Sequence, residues 1–187
     1  ERTFVMMNRG LALTLLVASI CFGTLFAMAA VSADVTISPN CVEVLVAPKC
    51  SKVARFAAAD LTNHLSKVLG CEVPIVSALN GNRVQIVVGD SQWTRDAGVD
   101  VDGLPRDAFR IKCSGNRIYL AGRDHPSDDL GGSLAKGVYP RREHATAFAV
   151  CEFLERYAGV RFYFPDEYGT IVPKAKSICI PTLDEVV

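Results

Sequence analysis

Apolar positions recur along this chain with two periods, and each period predicts an element. Val42-Glu43-Val44-Leu45-Val46 alternates and reads as a strand, ended by Pro48. Ser51 is placed to cap a helix running from about Lys52 to Leu69, closed by Gly70. Its stripe is Ala54, Ala58, Leu61, Leu65 and Val68, while Arg55, Asn63, Ser66 and Lys67 face the other way. Further strands are expected at 73–76, 84–88, 109–113 and 118–121, the last two flanking the hairpin turn Ser114-Gly115-Asn116. A polar stretch from Gly122 to Arg142 follows, holding Gly131-Gly132 and Pro140; a connection of that length is usually functional or mobile. A second helix is expected over 143–157. Ala147, Val150, Cys151, Leu154 and Ala158 form its buried side, and Glu152 and Arg156 pair at i,i+4 on its wet side. Gly159 stops it, 160–164 reads as a strand, 177–180 as a last short strand, and 181–187 as a linker.

Neither helix can bury its stripe alone, so each needs a sheet beneath it. Two long helices among several strands, one pair forming a hairpin, predict an α+β fold: a mixed β-sheet with both long helices packed on one face. No internal repeat or low-complexity tract interrupts the pattern.

The start of the chain has a different character. Met6-Met7-Asn8-Arg9 gives a short basic segment, and Leu11 to Ala30 is an apolar run without a charge. The small-residue sites Ala27-Met28-Ala29 and Val31-Ser32-Ala33 follow. That order is a secretory signal peptide's and predicts export, with residues 1–33 as upstream sequence and signal. The rival reading is an N-terminal membrane anchor, since roughly 20 apolar residues can span a bilayer. The chain thus divides into 1–33, a domain over 34–181, and the start of a linker at 182–187.

Half of the 187 residues are apolar and 21% are charged, a globular composition. Twenty basic residues balance twenty acidic ones, so no net field draws nucleic acid or an anionic membrane. Export permits disulfides. Removing the signal leaves six cysteines, at 41, 50, 71, 113, 151 and 179, an even number whose pairing the spacing does not give. Cys113 and Cys151 sit in apolar elements, where a small buried hydrophobe serves as well as a bridge. No C-x-x-C occurs, so neither a zinc knuckle nor a redox motif is supported.

The stretch from Ala145 to Pro173 carries the most specific pattern. Ala149, Phe153, Leu154, Glu155, Gly159, Val160, Arg161, Tyr163, Pro165, Gly169 and Pro173 match a motif that resembles N-terminal domains of bacterial glycoside hydrolases. Those of α-glucuronidases and β-N-acetylhexosaminidases are similar, as are exported proteins that join such a domain to a barrel of unknown function. Phe56 to Leu61, Ile86 to Ser91, Phe109-Arg110-Ile111 and Ile118 to Gly122 agree more loosely. Ala145 stands where the pattern has glycine, and Phe162 where it often has tryptophan. The resemblance implies a non-catalytic accessory domain that supports a catalytic barrel lying beyond Val187, with the cleaving carboxylates in that barrel. It also implies a carbohydrate-processing parent, with polysaccharide as a possible further partner.

No residue in the chain makes a strong catalytic, metal or cofactor site. Glu152 and Glu155 stand three apart on one helix and read as a solvated face, Glu155 tied to Arg161 or a backbone amide. Asp124, His125, Asp128 and Asp129 offer oxygen ligands for calcium without the spacing of a known loop. His144 beside Arg141 and Arg142 suits an acidic sugar or a helix start equally. Ser114 lacks the G-x-S-x-G turn of a nucleophile, and no glycine loop cradles phosphate. Phe162, Tyr163, Phe164 and Tyr168 offer a sugar platform, of which strand alternation lets at most two face one way.

Three function classes remain. An accessory domain predicts an exposed apolar patch where a barrel docks. A stand-alone carbohydrate-binding module predicts an exposed aromatic pair in a shallow groove. A small complete hydrolase needs two converging carboxylates about 5 Å or about 6.5–9.5 Å apart.

Overall fold

The computed structural model describes residues 34–164 and 167–187. The expected signal segment lies outside them. Among the described residues no helix is long and apolar enough to cross a membrane. The described residues all belong to one compact unit.

The described residues form, in order, β1 (Val35–Ile37), β2 (Val42–Val46), α1 (Lys52–Leu69), β3 (Ile75–Val76), β4 (Val84–Val88), α2 (Gln92–Asp96), β5 (Phe109–Ser114), β6 (Arg117–Gly122), α3 (Leu130–Leu134), α4 (Ala145–Arg156), β7 (Arg161–Phe162), β8 (Thr170–Ile171), β9 (Ile178–Ile180) and β10 (Leu183–Val186). The main sheet has the order β10-β5-β6-β4-β2-β3. β3, β2, β4 and β6 run parallel, and β5 and β10 are antiparallel to their neighbours, so the sheet is mixed as expected. Two antiparallel pairs, β1 with β9 and β7 with β8, stand apart from it.

Alternation builds two cores. Val44, Val46, Ile86, Val88, Ile111, Ile118 and Leu120 face α1 and α4, which pack together on one side. Leu45, Val87, Tyr119 and Ala121 face the other way and are covered by Val99 and Val101, with Trp93 of α2 alongside. All of β2 is buried, because it lies between two parallel neighbours and is covered on both sides. Glu43 is part of that strand, and its carboxylate accepts a 2.7 Å bond from Gln85 Nε2.

Helix α1 starts and stops as the sequence predicts. Ser51 Oγ accepts from Ala54 N at 2.9 Å, and Gly70 N–H donates back to Ser66 O. Its predicted stripe is buried throughout. Helix α4 is rotated from expectation: its buried side is Ala145, Thr146, Ala149, Val150, Phe153 and Leu154, while Ala147 and Cys151 are only half-buried. Phe153, the largest of these side chains, takes the centre of the face.

Other differences concern short elements. The strand expected over 160–164 is only Arg161–Phe162, the one over 73–76 only Ile75–Val76, and β1 and α2 were not foreseen. Leu183–Val186, expected as linker, is instead an edge strand on β5, where Arg110 Nε meets Asp184 Oδ1 at 2.8 Å. The six described cysteines are free. Cys113 is fully buried in the larger core, and burial pushes both its thiol and that of Cys151 up to about 11, so neither is a thiolate at neutral pH.

Candidate interaction face and helix-end polar cluster

The acidic side chains of the connection from Gly122 to Arg142 are engaged in separate ties. Asp124 lies just past β6, at the end of the sheet where α1 and α4 begin. Its Oδ2 accepts from Ser51 Oγ at 2.9 Å and its Oδ1 from Thr146 N at 3.0 Å, so one carboxylate serves the first turns of both long helices. Asp129 caps α3 through Gly132 N at 3.0 Å and meets Lys52 Nζ at 3.2 Å. His125 bonds Ser127, and Arg142 reaches both. Asp128 is buried, 3.6 Å from His144 Nδ1. Among the described residues no three His, Cys, Asp or Glu side chains gather to hold a metal ion.

Burial raises the Asp124 carboxyl above its ordinary value, against the opposing pull of its bonds from Thr146 and Ser51. The folded chain then binds this proton more tightly than the unfolded chain does. The resulting stabilisation is full below the ordinary carboxylate value and declines as pH rises from there through the raised one. Asp124→Asn keeps an acceptor for Thr146 N but carries no titrating group. It is expected to remove that decline, flattening stability above about pH 4 in urea melts taken across pH. A variant curve parallel to the parent's would contradict this.

His144 stands at the start of α4 but makes no side-chain cap bond. It is buried rather than open to a sugar acid, with Nε2 2.5 Å from the phenol of Tyr139 and its ring against Phe148. Arg141 contributes its carbonyl to Arg106. Glu152 pairs with Arg156 at 2.7 Å, and Arg156 also bonds Glu185. Arg161 ties to the backbone carbonyl of Glu155, at 2.7 Å, rather than to its carboxylate.

The aromatic residues do more than the strand reading allowed. Because β7 ends at Phe162, Tyr163 and Phe164 lie in the turn beyond it, and strand alternation does not separate them. Tyr163 N donates to Gly169 O at 2.8 Å, closing that turn. Phe162, Tyr163 and Phe164 all line one cleft of about 760 Å³. Asp60, Asn63, His64 and Lys67 of α1 line it as well, and Leu134 of α3 also borders it. His64 is nearly buried, its Nδ1 3.0 Å from Asp60 O, and its ring stands edge-on to Phe162 at 5.3 Å between centroids. The bond from Asp60 raises the His64 pKa, with burial opposing. Further exposed apolar groups adjoin these lining residues in sequence: Val138 and Tyr139 after Leu134, and Tyr168 and Ile171 on either side of Thr170. Tyr168 is 92% exposed.

The sequence reading named the aromatic cluster but missed the α1 wall. Asp60 and His64 at i,i+4 carried the available signal, hidden in a helix read only for its buried stripe.

No family model matches the chain, and no curated protein matches it. Among solved structures, a family GH115 4-O-methyl-α-glucuronidase with specificity for decorated arabinogalactans is similar at TM-score 0.51 and 19% identity, over 82% of this chain and 18% of that one. The chain CpGH84D is similar at TM-score 0.43 and 11% identity, over 79% of this chain and 21% of that one. The likeness to the glucuronidase is one of fold: this chain has the architecture of one segment of that enzyme and spans less than a fifth of its length.

Proposed function

We propose that this chain is a non-catalytic accessory domain of an exported, carbohydrate-processing protein, and that it packs against a catalytic barrel of the same protein. The observation that carries the reading is the set of large apolar side chains left exposed in two segments that adjoin, in sequence, residues lining the α1–β7 cleft. Leu134, Val138, Tyr139 and Ile171 are each between 42% and 59% exposed, and Tyr168 more so. They are concentrated in two segments, 134–139 and 168–171. Uncovered apolar surface so gathered marks an interaction site rather than the scattered exposure of ordinary surfaces. Its occupant is a second domain of the same protein, in keeping with a fold that makes up a minor segment of a far longer glucuronidase.

The accessory reading expects no hydrolysis by this unit itself. Glycosidic cleavage needs an acid and a second carboxylate held across the scissile bond. Glu152 is engaged by Arg156 in a salt bridge, and Asp124, the carboxyl that burial does raise, is bonded by both helix starts. Purified Ser32–Val187 is expected to show no turnover on a panel of aryl glycosides and aryl uronides. Turnover that disappears in Glu152→Gln or Glu155→Gln would move those residues into catalytic roles and defeat the reading.

A further inference from the structure

We propose that the cleft between α1 and the β7–β8 hairpin binds a saccharide, one pyranose ring lying on Tyr163 and Phe164 with its hydroxyls reaching Asp60, Asn63 and Lys67. The inference rests on the accessory-domain reading and adds a ligand class in the cleft beside the docking segments.

Two kinds of surface meet in this cleft. On the hairpin side are the rings of Tyr163 and Phe164, 69% and 58% exposed. On the helix side, Asn63 and Lys67 are exposed, and neither side chain makes a hydrogen bond or ion pair to another described residue. Asp60 directs Oδ1 at His64, 3.3 Å away. The floor is fixed, because His64 is held by Asp60 O and braced edge-on by Phe162. Asp60, Asn63 and Lys67 stand at i, i+3 and i+7 on one helix, and the volume falls within the roughly 300–1,000 Å³ span of small-ligand sites.

The chemistry of the walls selects among occupants. A wholly apolar occupant would strip water from Asp60, Asn63 and Lys67 and return no hydrogen bond. A small inorganic anion would meet Lys67 but also Asp60, and would leave both rings unused. A pyranose has both characters. Its C–H face is apolar and weakly positive, suited to the negative face of an aromatic ring, and its equatorial hydroxyls project sideways as donors and acceptors. Asn63 offers both a donor and an acceptor, Lys67 donors and Asp60 acceptors, so the helix wall can serve either end of a hydroxyl. Ligand sites also favour domain interfaces, which is where docking around the rim would place this cleft.

The experiment titrates ¹⁵N-labelled Ser32–Val187, which contains both cores within itself, with xylotetraose, cellotetraose and trigalacturonate in turn. Saturable shifts with at least one of them are expected, confined to amides of 60–67 and 162–172. Tyr163→Ala and Phe164→Ala should each weaken binding by about tenfold or more, and Asn63→Ala should weaken it too. All three residues are exposed, so circular dichroism should stay unchanged. The absence of saturable shifts with all three sugars overturns the proposal, as do shifts that persist in the Tyr163→Ala, Phe164→Ala double variant. A longer protein that docks through 134–139 and 168–171, while the isolated unit binds no sugar, keeps the accessory reading and removes the saccharide site. Sugar binding without docking does the reverse.

Discussion

Leu154→Ala is expected to cost the folded chain about 2–5 kcal/mol. Leu154 is fully buried on α4, in the core that α4 shares with α1 and the sheet. Truncation loses the transfer free energy of the removed carbons and leaves a cavity between two helices and a sheet that relax only in part. Set against a total of about 5–15 kcal/mol, that is enough to bring a marginal domain close to unfolding. Denaturant melts check it: a lowered midpoint at unchanged slope is expected, and a loss below about 1 kcal/mol would place Leu154 outside the core.

Gly89→Ala is the second large effect. Gly89 follows β4 with φ at 86°, and a Cβ built there lies 2.5 Å from the Cβ of Ala54 on α1. Two costs add: about 1–2 kcal/mol for an L-residue in the left-handed region, and about 1–3 kcal/mol for overpacking a contact that can open only by moving α1 off the sheet. Gly70→Ala separates them. Its φ is 69°, yet nothing lies within 4 Å of the added Cβ, so it carries the backbone cost alone. The expected result is a loss at Gly89 clearly larger than at Gly70 in the same melts; equal losses would mean that α1 yields freely at Ala54.

The sequence made long elements legible and short ones not. Helix α1 carries a cap, a five-membered stripe and a stop glycine, and local and tertiary preferences agree at each. In α4 nearly every position from Ala145 to Leu154 is apolar or small, so periodicity alone leaves the phase loose, and the choice fell on Ala147 and Cys151 instead of Ala149 and Phe153. β10 was invisible because Leu183-Asp184-Glu185-Val186 is an edge strand. Its partners are the backbone of β5 and the cations Arg110 and Lys112, which no local pattern records. The candidate site failed for a similar reason. Asp60, Asn63 and Lys67 are ordinary polar helix residues until the hairpin folds over them, and the cleft joins segments about a hundred residues apart. The acids of 124–129 looked like a cluster because they are close in sequence, whereas each is drawn to a different partner: Ser51 and Thr146, His144, or Lys52.

A second domain of the same protein is proposed to cover the exposed apolar residues of 134–139 and 168–171. Amide hydrogen exchange tests it most directly, comparing isolated Ser32–Val187 with the protein encoded by the complete reading frame. Slower exchange in the longer protein is expected for 134–139 and 168–171, with the core amides of β2, β4 and β6 unchanged. A reading frame that ends at codon 187, or a longer protein in which those two segments exchange as fast as in the isolated unit, would contradict the account.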